Sequence, residues 1–111
     1  MRAGPEAPTV EKLIEKLQDS DQIVRIHAAT VLGAMGEEAE PAVSALIELL
    51  KNGNIHDRKL AALTLGEIGP VAEEAIPALF AAIDDEDVGV VELAQWALAE
   101  VDLLEEDEEA A

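Results

Sequence analysis

Cysteine and tyrosine are absent from this chain of 111 residues, and tryptophan and phenylalanine occur once each. The lack of cysteine excludes disulfides, thiolate metal sites and cysteine nucleophiles, and it disfavours a secreted fold that depends on disulfides. Long apolar runs are also missing: residues 75–83, for example, are far fewer than a membrane span requires. Residues 1–10 contain no apolar segment of signal-peptide length. We therefore expect a cytoplasmic protein.

Basic residues are scarce, and none follows Lys59. The 7 Lys and Arg residues stand against 25 Asp and Glu residues, which gives a formal net charge of −18. Residues 60–111 hold 15 of the acids, whereas residues 1–59 are close to neutral. Such a surface repels phosphate backbones and anionic lipids, so nucleic-acid binding by the C-terminal half and membrane binding are disfavoured.

Three stretches of the chain superimpose at a constant spacing of 33 residues. One apolar block runs Val10, Leu13, Ile14 and Leu17, then Val43, Leu46, Ile47 and Leu50, then Ile76, Leu79, Phe80 and Ile83. Another runs Ala28, Leu32 and Met35, then Ala61, Leu65 and Ile68, then Ala94, Leu98 and Val101. This period is typical of stacked supersecondary units. We predict a single domain over 1–111, with repeats at about 9–36, 42–69 and 75–102 and an acidic tail at 103–111.

Each unit is predicted to be a pair of helices, because its apolar residues recur at i, i+3, i+4 and i+7. The first helices are expected at about 9–18, 42–51 and 75–84, and the second at about 22–35, 55–68 and 88–104. Capping residues precede the second helices, namely Ser20 and Asp21, Asn54, and Asp87. Asp57 follows Asn54 by three residues and forms a variant of the capping box.

Glycines recur at two positions of the second helices. Gly36 and Gly69 stand where a left-handed C-cap is expected, with Pro41 and Pro70 beyond them in the connections. Gly33 and Gly66 fall one turn earlier, inside the predicted helices, where glycine costs about 1 kcal/mol relative to alanine. Small residues at one recurring position indicate close approach of neighbouring helices.

The second helices share the pattern R-x-x-A-A-x-x-L-G-x-x-G. It stands as Arg25, Ala28, Ala29, Leu32, Gly33 and Gly36, and again as Arg58, Ala61, Ala62, Leu65, Gly66 and Gly69. With the preceding helix it resembles the HEAT-like repeat, in particular the short variety named after phycobilisome lyases. The third unit departs from it at Val91, Gln95, Ala99 and Asp102, as expected of a terminal repeat. The resemblance implies an all-α, right-handed solenoid of three helix pairs that serves as a scaffold.

The sequence gives little support for a catalytic or metal site. We expect that the protein is not an enzyme and binds no cofactor or metal. Some HEAT-repeat enzymes hold iron with His-Glu dipeptides, but here His27 and His56 fall at different phases of the repeat. We expect His27 to be a partly buried core residue and His56 to lie on the surface. The acids at 84–87 lack the glycine of a calcium loop, so they are interpreted as a solvated turn.

Large apolar residues stand at second-helix positions that face solvent in the family's pattern. They are Ile23, Ile26, Leu63 and Trp96. Grouped on one surface, they have the profile of an interface anchor, although a small solenoid could also curl enough to bury them. We predict a partner-binding surface made of these four residues together with the acids Glu67, Glu92 and Glu100.

The function predicted from these features is that of a non-catalytic protein-binding scaffold whose acidity steers a basic partner. An alternative is an accessory subunit of a chromophore lyase or another enzyme, as the namesake of the repeat implies. A third hypothesis is a halophilic or solubility adaptation, against which the near-neutral residues 1–59 argue.

Two further expectations concern the C-terminal half. The last helix is apolar on more than one face, so a homodimer through it is a hypothesis. Mutual repulsion of carboxylates in the third unit is expected to raise the affinity of some of them for protons on folding. Neutralising Asp84, Asp85 and Glu86 together is then expected to stabilise the protein.

Overall fold

The computed structural model describes residues 8–102, which form six α-helices in three antiparallel pairs. The helices are α1 (Val10–Lys16), α2 (Gln22–Met35), α3 (Val43–Asn52), α4 (Ile55–Ile68), α5 (Ile76–Ala82) and α6 (Val88–Val101). No strand occurs among these residues. The chain is an α-solenoid, as the repeat predicted. The acidic tail, Leu103 and Leu104 lie outside the described residues, and the prediction of a single domain over the whole chain stays a prediction.

Side-chain caps set the starts of four helices. Asp21 accepts a hydrogen bond from the backbone N–H of Ile23 at 2.9 Å, and Asp87 accepts one from Gly89 at 2.8 Å. At the start of α4, Asn54 Oδ1 accepts from the Asp57 N–H at 2.8 Å, and Asp57 Oδ2 accepts from the Asn54 N–H at 3.2 Å. The predicted capping box is therefore present, and these three caps are confirmed.

The cap of α1 was not predicted, although it follows the same rule. Thr9 Oγ1 accepts a hydrogen bond from the Lys12 N–H at 3.2 Å. Threonine is a common N-cap residue, and this bond satisfies one of the free N–H groups of the first turn. The start of the first unit is thus fixed by a signal that the sequence contains.

The connections between units are short 3₁₀ helices, at Gly36–Ala42 and Pro70–Ala75. Gly36 (φ 61°, ψ −133°) and Gly69 (φ 87°, ψ −151°) have the positive φ that was expected. Their ψ angles, however, lie far from those of a left-handed helix, so the predicted left-handed C-cap is wrong. This backbone region is open essentially to glycine alone, and it turns the chain directly into the 3₁₀ segment.

Equivalent residues of the three units form one continuous core. Leu13, Leu46 and Leu79 of the first helices are fully buried. So are Ala28, Ala61 and Ala94 of the second helices. The middle helix α4 packs against both α2 and α6. The three second helices therefore lie side by side, and their outward side chains share one surface.

Two predictions fail at the ends of the stack. Phe80 belongs to the predicted apolar block but is 65% exposed, whereas Ile14 and Ile47 at the same repeat position are half-buried. His27 was expected to be partly buried and is exposed, whereas Leu60 and Leu93 at its position are half-buried. The described residues contain no unit before the first or after the third, so both side chains lack the neighbour that covers their equivalents.

Candidate functional site

A groove crosses the three second helices at the centre of their shared surface. Ile26 of α2, Leu63 of α4 and Leu93 of α6 contribute apolar side chains to it. Its volume is about 230 Å³, and Gln22, His56, Asp57, Lys59 and Leu60 complete its lining. The structure thus brings together two of the predicted partner-binding residues and adds Leu93, which the prediction omitted.

Leu93 was missed because only the positions that face solvent in the family's pattern were considered, and its position is not among them. Its equivalents are Leu60, which also lines the groove, and His27. The helical spacing of three residues between Leu93 and Trp96 was the available signal, since it places both side chains on one helix face.

Trp96 lies one helical turn beyond Leu93 and rests on Gly66 of α4. A Cβ atom added to Gly66 would come within 2.9 Å of Trp96 Cε3. Gly33 is covered in the same way by the side chain of Glu67, whose Cδ would lie 3.2 Å from such an atom. The two glycines therefore make room for side chains of the next helix, and the close approach of the helices themselves stays a prediction. The absence of a Cβ lets the side chain of the next helix lie flat on the surface.

The four apolar residues of the predicted surface differ in exposure. Ile23 is 72% exposed, Ile26 41% and Trp96 40%, whereas Leu63 is half-buried. The solenoid therefore does not curl enough to bury the three exposed ones. Ile23, at the start of α2, is not part of the groove lining. Of the three acids, Glu67 and Glu92 are exposed and Glu100 is half-buried.

Lys59 places a positive charge within this mostly apolar and acidic surface. Its Nζ lies 3.1 Å from the position that a Cβ on Gly89 would take, so the lysine lies across the start of α6. Within residues 8–102 it forms no ion pair. The groove lining therefore includes one lysine, whereas the acids Glu67, Glu92 and Glu100 of the same helices lie outside that lining.

Two arginines of the repeat motif link successive units. Arg25 Nε donates to Asp57 Oδ1 of the next unit at 2.9 Å, and its Nη1 donates to the Asp19 carbonyl at 2.8 Å. Arg58 Nε donates to Asp85 Oδ2 at 2.8 Å, and its Nη1 donates to the Gly53 carbonyl at 2.9 Å. Each guanidinium is thus held by the turn of its own unit and reaches forward. This role was not predicted, although the recurrence of an arginine at one motif position was a signal for it.

These bridges overturn one expectation about the acidic turn. The hydrogen bond from Arg58, reinforced by one from the Asp87 N–H, lowers the pKa of Asp85, and the same pair raises the pKa of Arg58. Asp85 therefore holds its proton less tightly in the folded protein, contrary to the prediction from like-charge repulsion. Neutralising Asp85 would remove a stabilising pair, so it does not belong among the changes expected to stabilise.

Metal-ligating side chains do not cluster in the described part of the chain: no group of three His, Cys, Asp or Glu residues is placed to hold an ion. His56 is exposed at the start of α4, as expected. The helices between residues 8 and 102 include none long and apolar enough to span a membrane.

Comparison with known proteins agrees with this geometry. No curated protein matches the chain significantly. The profile of the HEAT repeats matches residues 10–99, which covers all six helices except the last two residues of α6. Repeats of this kind generally mediate protein–protein contacts or scaffolding and are typically non-catalytic. On this match and the paired-helix fold, the chain belongs to the HEAT repeat family.

Proposed function

We propose that this protein is a non-catalytic scaffold that binds a basic protein partner through the exposed face of α2, α4 and α6. The observation that carries the proposal is the groove formed by Ile26, Leu63 and Leu93, one residue from each unit. A surface assembled from three helices accepts an extended or helical segment of a partner better than a small molecule. Trp96, an exposed aromatic residue on this face, supplies an anchor of the kind enriched in binding hot spots.

The chemistry of the partner follows from the charges around the groove. Glu67 and Glu92 are exposed on α4 and α6 and are not paired with a base within residues 8–102. Exposed carboxylates at an interface rim accelerate association with a cationic surface and discriminate against anionic ones. The partner segment is accordingly an amphipathic helix with aliphatic or aromatic anchors flanked by Lys or Arg.

Selection from a displayed library of helical peptides against the full chain tests this proposal. Enriched peptides are expected to combine apolar anchors at i, i+3 and i+4 with basic residues, and to change the fluorescence of Trp96 on binding. Because Trp96 is the only tryptophan, the signal reports this face directly. Their affinity is expected to fall at least about tenfold for Ile26→Asp, since burying an unpaired carboxylate against apolar contacts is costly.

Phe80→Asp is the matched control, because Phe80 is also a large exposed apolar residue but lies on α5, a first helix. We expect this variant to bind the selected peptides as the unaltered chain does. Equal binding by Ile26→Asp, or enrichment of acidic peptides, would contradict the proposal.

A role as an accessory subunit of a chromophore lyase or another enzyme would use the same face and differ only in the partner's identity. The phycobilisome-lyase subtype, the basic nature of the partner and the cytoplasmic location stay proposals. So does a homodimer through the last helix.

A further inference from the structure

The two junctions between units are built alike. A groove at the first junction is lined by Leu17 and Arg25 of the first unit and by Ala45, Glu48 and Leu49 of the second. The groove at the second junction is lined by residues 33 positions later, among them Leu50, Arg58, Ala78, Ala81 and Ala82. The position of a residue within its repeat therefore indicates whether it faces the next unit or the previous one.

The third unit presents a forward face with nothing on it within residues 8–102. By repeat position this face includes Ile83, Asp84, Glu86 and Val91, and Phe80 lies three residues before Ile83 on α5. Asp84 and Glu86 also line the groove of the second junction, beside Lys51 and Arg58. Phe80 is 65% exposed, whereas its equivalents in the earlier units are half-buried. Val91 stands where the first two units carry the bridging arginine, so the third unit itself adds no cation to these apolar residues and carboxylates.

The first unit presents a rear face with the opposite charge. Lys12, Glu15 and Lys16 occupy the positions that Ala45, Glu48 and Leu49 take in the second unit. All three are exposed on α1. The rear face therefore carries two ammonium groups and one carboxylate where internal units are mainly apolar.

We propose that the forward face of one copy stacks on the rear face of a second copy, head to tail, in the register of the internal junctions. In that register Asp84 and Glu86 share a groove with Lys12 and Lys16. The aliphatic stems of the lysines cover the apolar row around Phe80, and their ammonium groups can lie over its ring. The interface continues one that the fold already uses twice, and it leaves the groove at Ile26 free for the proposed partner.

Charge decides between this arrangement and a two-fold dimer. Two forward faces in contact would set carboxylates against carboxylates, which costs free energy at an interface. In the head-to-tail arrangement Lys12 and Lys16 of the second copy supply positive charge. The first copy has Val91, and no arginine, at the repeat position of Arg25 and Arg58. A heterologous contact of this kind does not close on itself, so it generates short open chains whose length increases with concentration.

Sedimentation velocity of the full chain from micromolar to near-millimolar concentration tests the proposal. At about 0.15 M salt the Debye length is about 8 Å, so the overall net charge acts mainly between groups close to the contact. We expect the weight-average sedimentation coefficient to rise with concentration. Two double variants, Asp84→Lys with Glu86→Lys and Lys12→Glu with Lys16→Glu, are each expected to associate at least about tenfold more weakly, because like charges then face each other.

Mixing the two double variants restores opposite charges at every junction, so the mixture is expected to associate as the unaltered chain does. A two-fold contact between forward faces is distinguished by the rear-face variant alone: Lys12→Glu with Lys16→Glu keeps its forward face, so in that arrangement it would associate as the unaltered chain does. Glu37→Lys with Glu38→Lys is a control for charge reversal, since both residues are exposed in the first 3₁₀ connection and neither belongs to the forward or the rear face.

Circular dichroism of each variant verifies that the helices remain. A monomer at all concentrations would overturn the proposal. Association of either double variant alone, failure of the mixture to associate, or a loss of association in the control would overturn it as well. A failure of peptide binding at Ile26 would leave it untouched, because the two surfaces share no residue.

Discussion

Leu32, Leu65 and Leu98 occupy one position of the repeat, but their burial depends on their place in the stack. The first two are fully buried, whereas Leu98 in the last unit is half-buried. We expect Leu65→Ala to lower the free energy of unfolding by about 2 to 5 kcal/mol, the range for truncating a buried leucine. Leu98→Ala removes the same atoms from a partly solvated site, so its cost is expected to be smaller. Urea unfolding followed by circular dichroism measures both.

The comparison is informative because both variants lose identical chemical groups. Equal midpoints for the two variants would mean that α6 is covered as fully as α4, and the assignment of the third unit as the exposed end would be wrong. Leu65 was expected from its repeat position to contact both flanking units, and its helix α4 does pack against both α2 and α6.

Asp85 gives the fold a pH dependence at a single carboxylate. Because its pKa is lowered in the folded protein, its stabilising effect is fully present above its ordinary value of about 4 and disappears as the pH falls through the lowered value. Asp85→Asn is therefore expected to be less stable than the unaltered chain at pH 7, with a difference that shrinks toward about pH 3. Thermal unfolding across this range measures the difference.

Asp84→Asn is the control, because Asp84 is exposed and forms no ion pair within the described residues. It is expected to cost nothing at pH 7. If Asp85→Asn were as stable as Asp84→Asn at pH 7, the bridge from Arg58 would contribute no stability.

At the scale of the helix, the two internal glycines differ in what covers them. Gly33 faces the flexible carboxylate end of Glu67, whereas Gly66 faces the rigid ring of Trp96. Alanine stabilises a helix by about 1 kcal/mol relative to glycine, so Gly33→Ala is expected to raise the free energy of unfolding by part of this amount. Gly66→Ala is expected to lose stability, because the ring must move off α4.

The fluorescence of Trp96 separates the two substitutions. We expect a red shift for Gly66→Ala, since a displaced ring is more solvated, and no shift for Gly33→Ala. An unchanged spectrum in Gly66→Ala would show that the indole does not rest on α4 as described.

The helices were predictable because their signals are local. Apolar spacing and the caps Asp21, Asn54 and Asp87 act within one or two turns, so sequence alone gave the starts of α2, α4 and α6. The 3₁₀ connections were missed because segments of six or seven residues have no periodicity of their own. Their glycines predicted a positive φ, but ψ depends on the path that the chain takes to the next unit.

The surface was less predictable because burial is set by neighbours. Periodicity indicates that Phe80 and His27 share positions with buried residues, but it does not state whether another unit covers them. The arginine bridges join residues 32 and 27 positions apart, across units, and no local rule reaches that distance. For the groove, repeat variation identified Ile26 and Leu63, whereas Leu93 was found only from the structure.

For the whole molecule, net charge is the property that salt changes most. With 15 acids and no base among residues 60–111, like charges repel in the folded state, and salt screens that repulsion. We expect the thermal midpoint at pH 7 and low protein concentration to rise between low ionic strength and about 0.5 M sodium chloride, where the Debye length falls to a few ångströms. Asp84→Asn with Glu86→Gln is expected to raise the midpoint at low salt.

Glu37→Gln with Glu38→Gln removes the same charge from the near-neutral half and is expected to have the smaller effect. If the thermal midpoint did not change with salt, the charge of the acids would already be balanced by nearby positive charge. The acidic face would then not attract a basic partner.

Arg25 and Arg58 each bond an aspartate of the following unit, so the middle unit can be duplicated together with both of its bridges. It alone contains both halves of the connection, the acid Asp57 that receives an arginine and the Arg58 that extends one. A second copy of residues 42–74 inserted after residue 74 would present an aspartate to the original Arg58 and an arginine to Asp85. We expect the lengthened chain to fold with a higher midpoint, since each added repeat brings another interface. Such a chain could lengthen by tandem duplication without any compensating substitution.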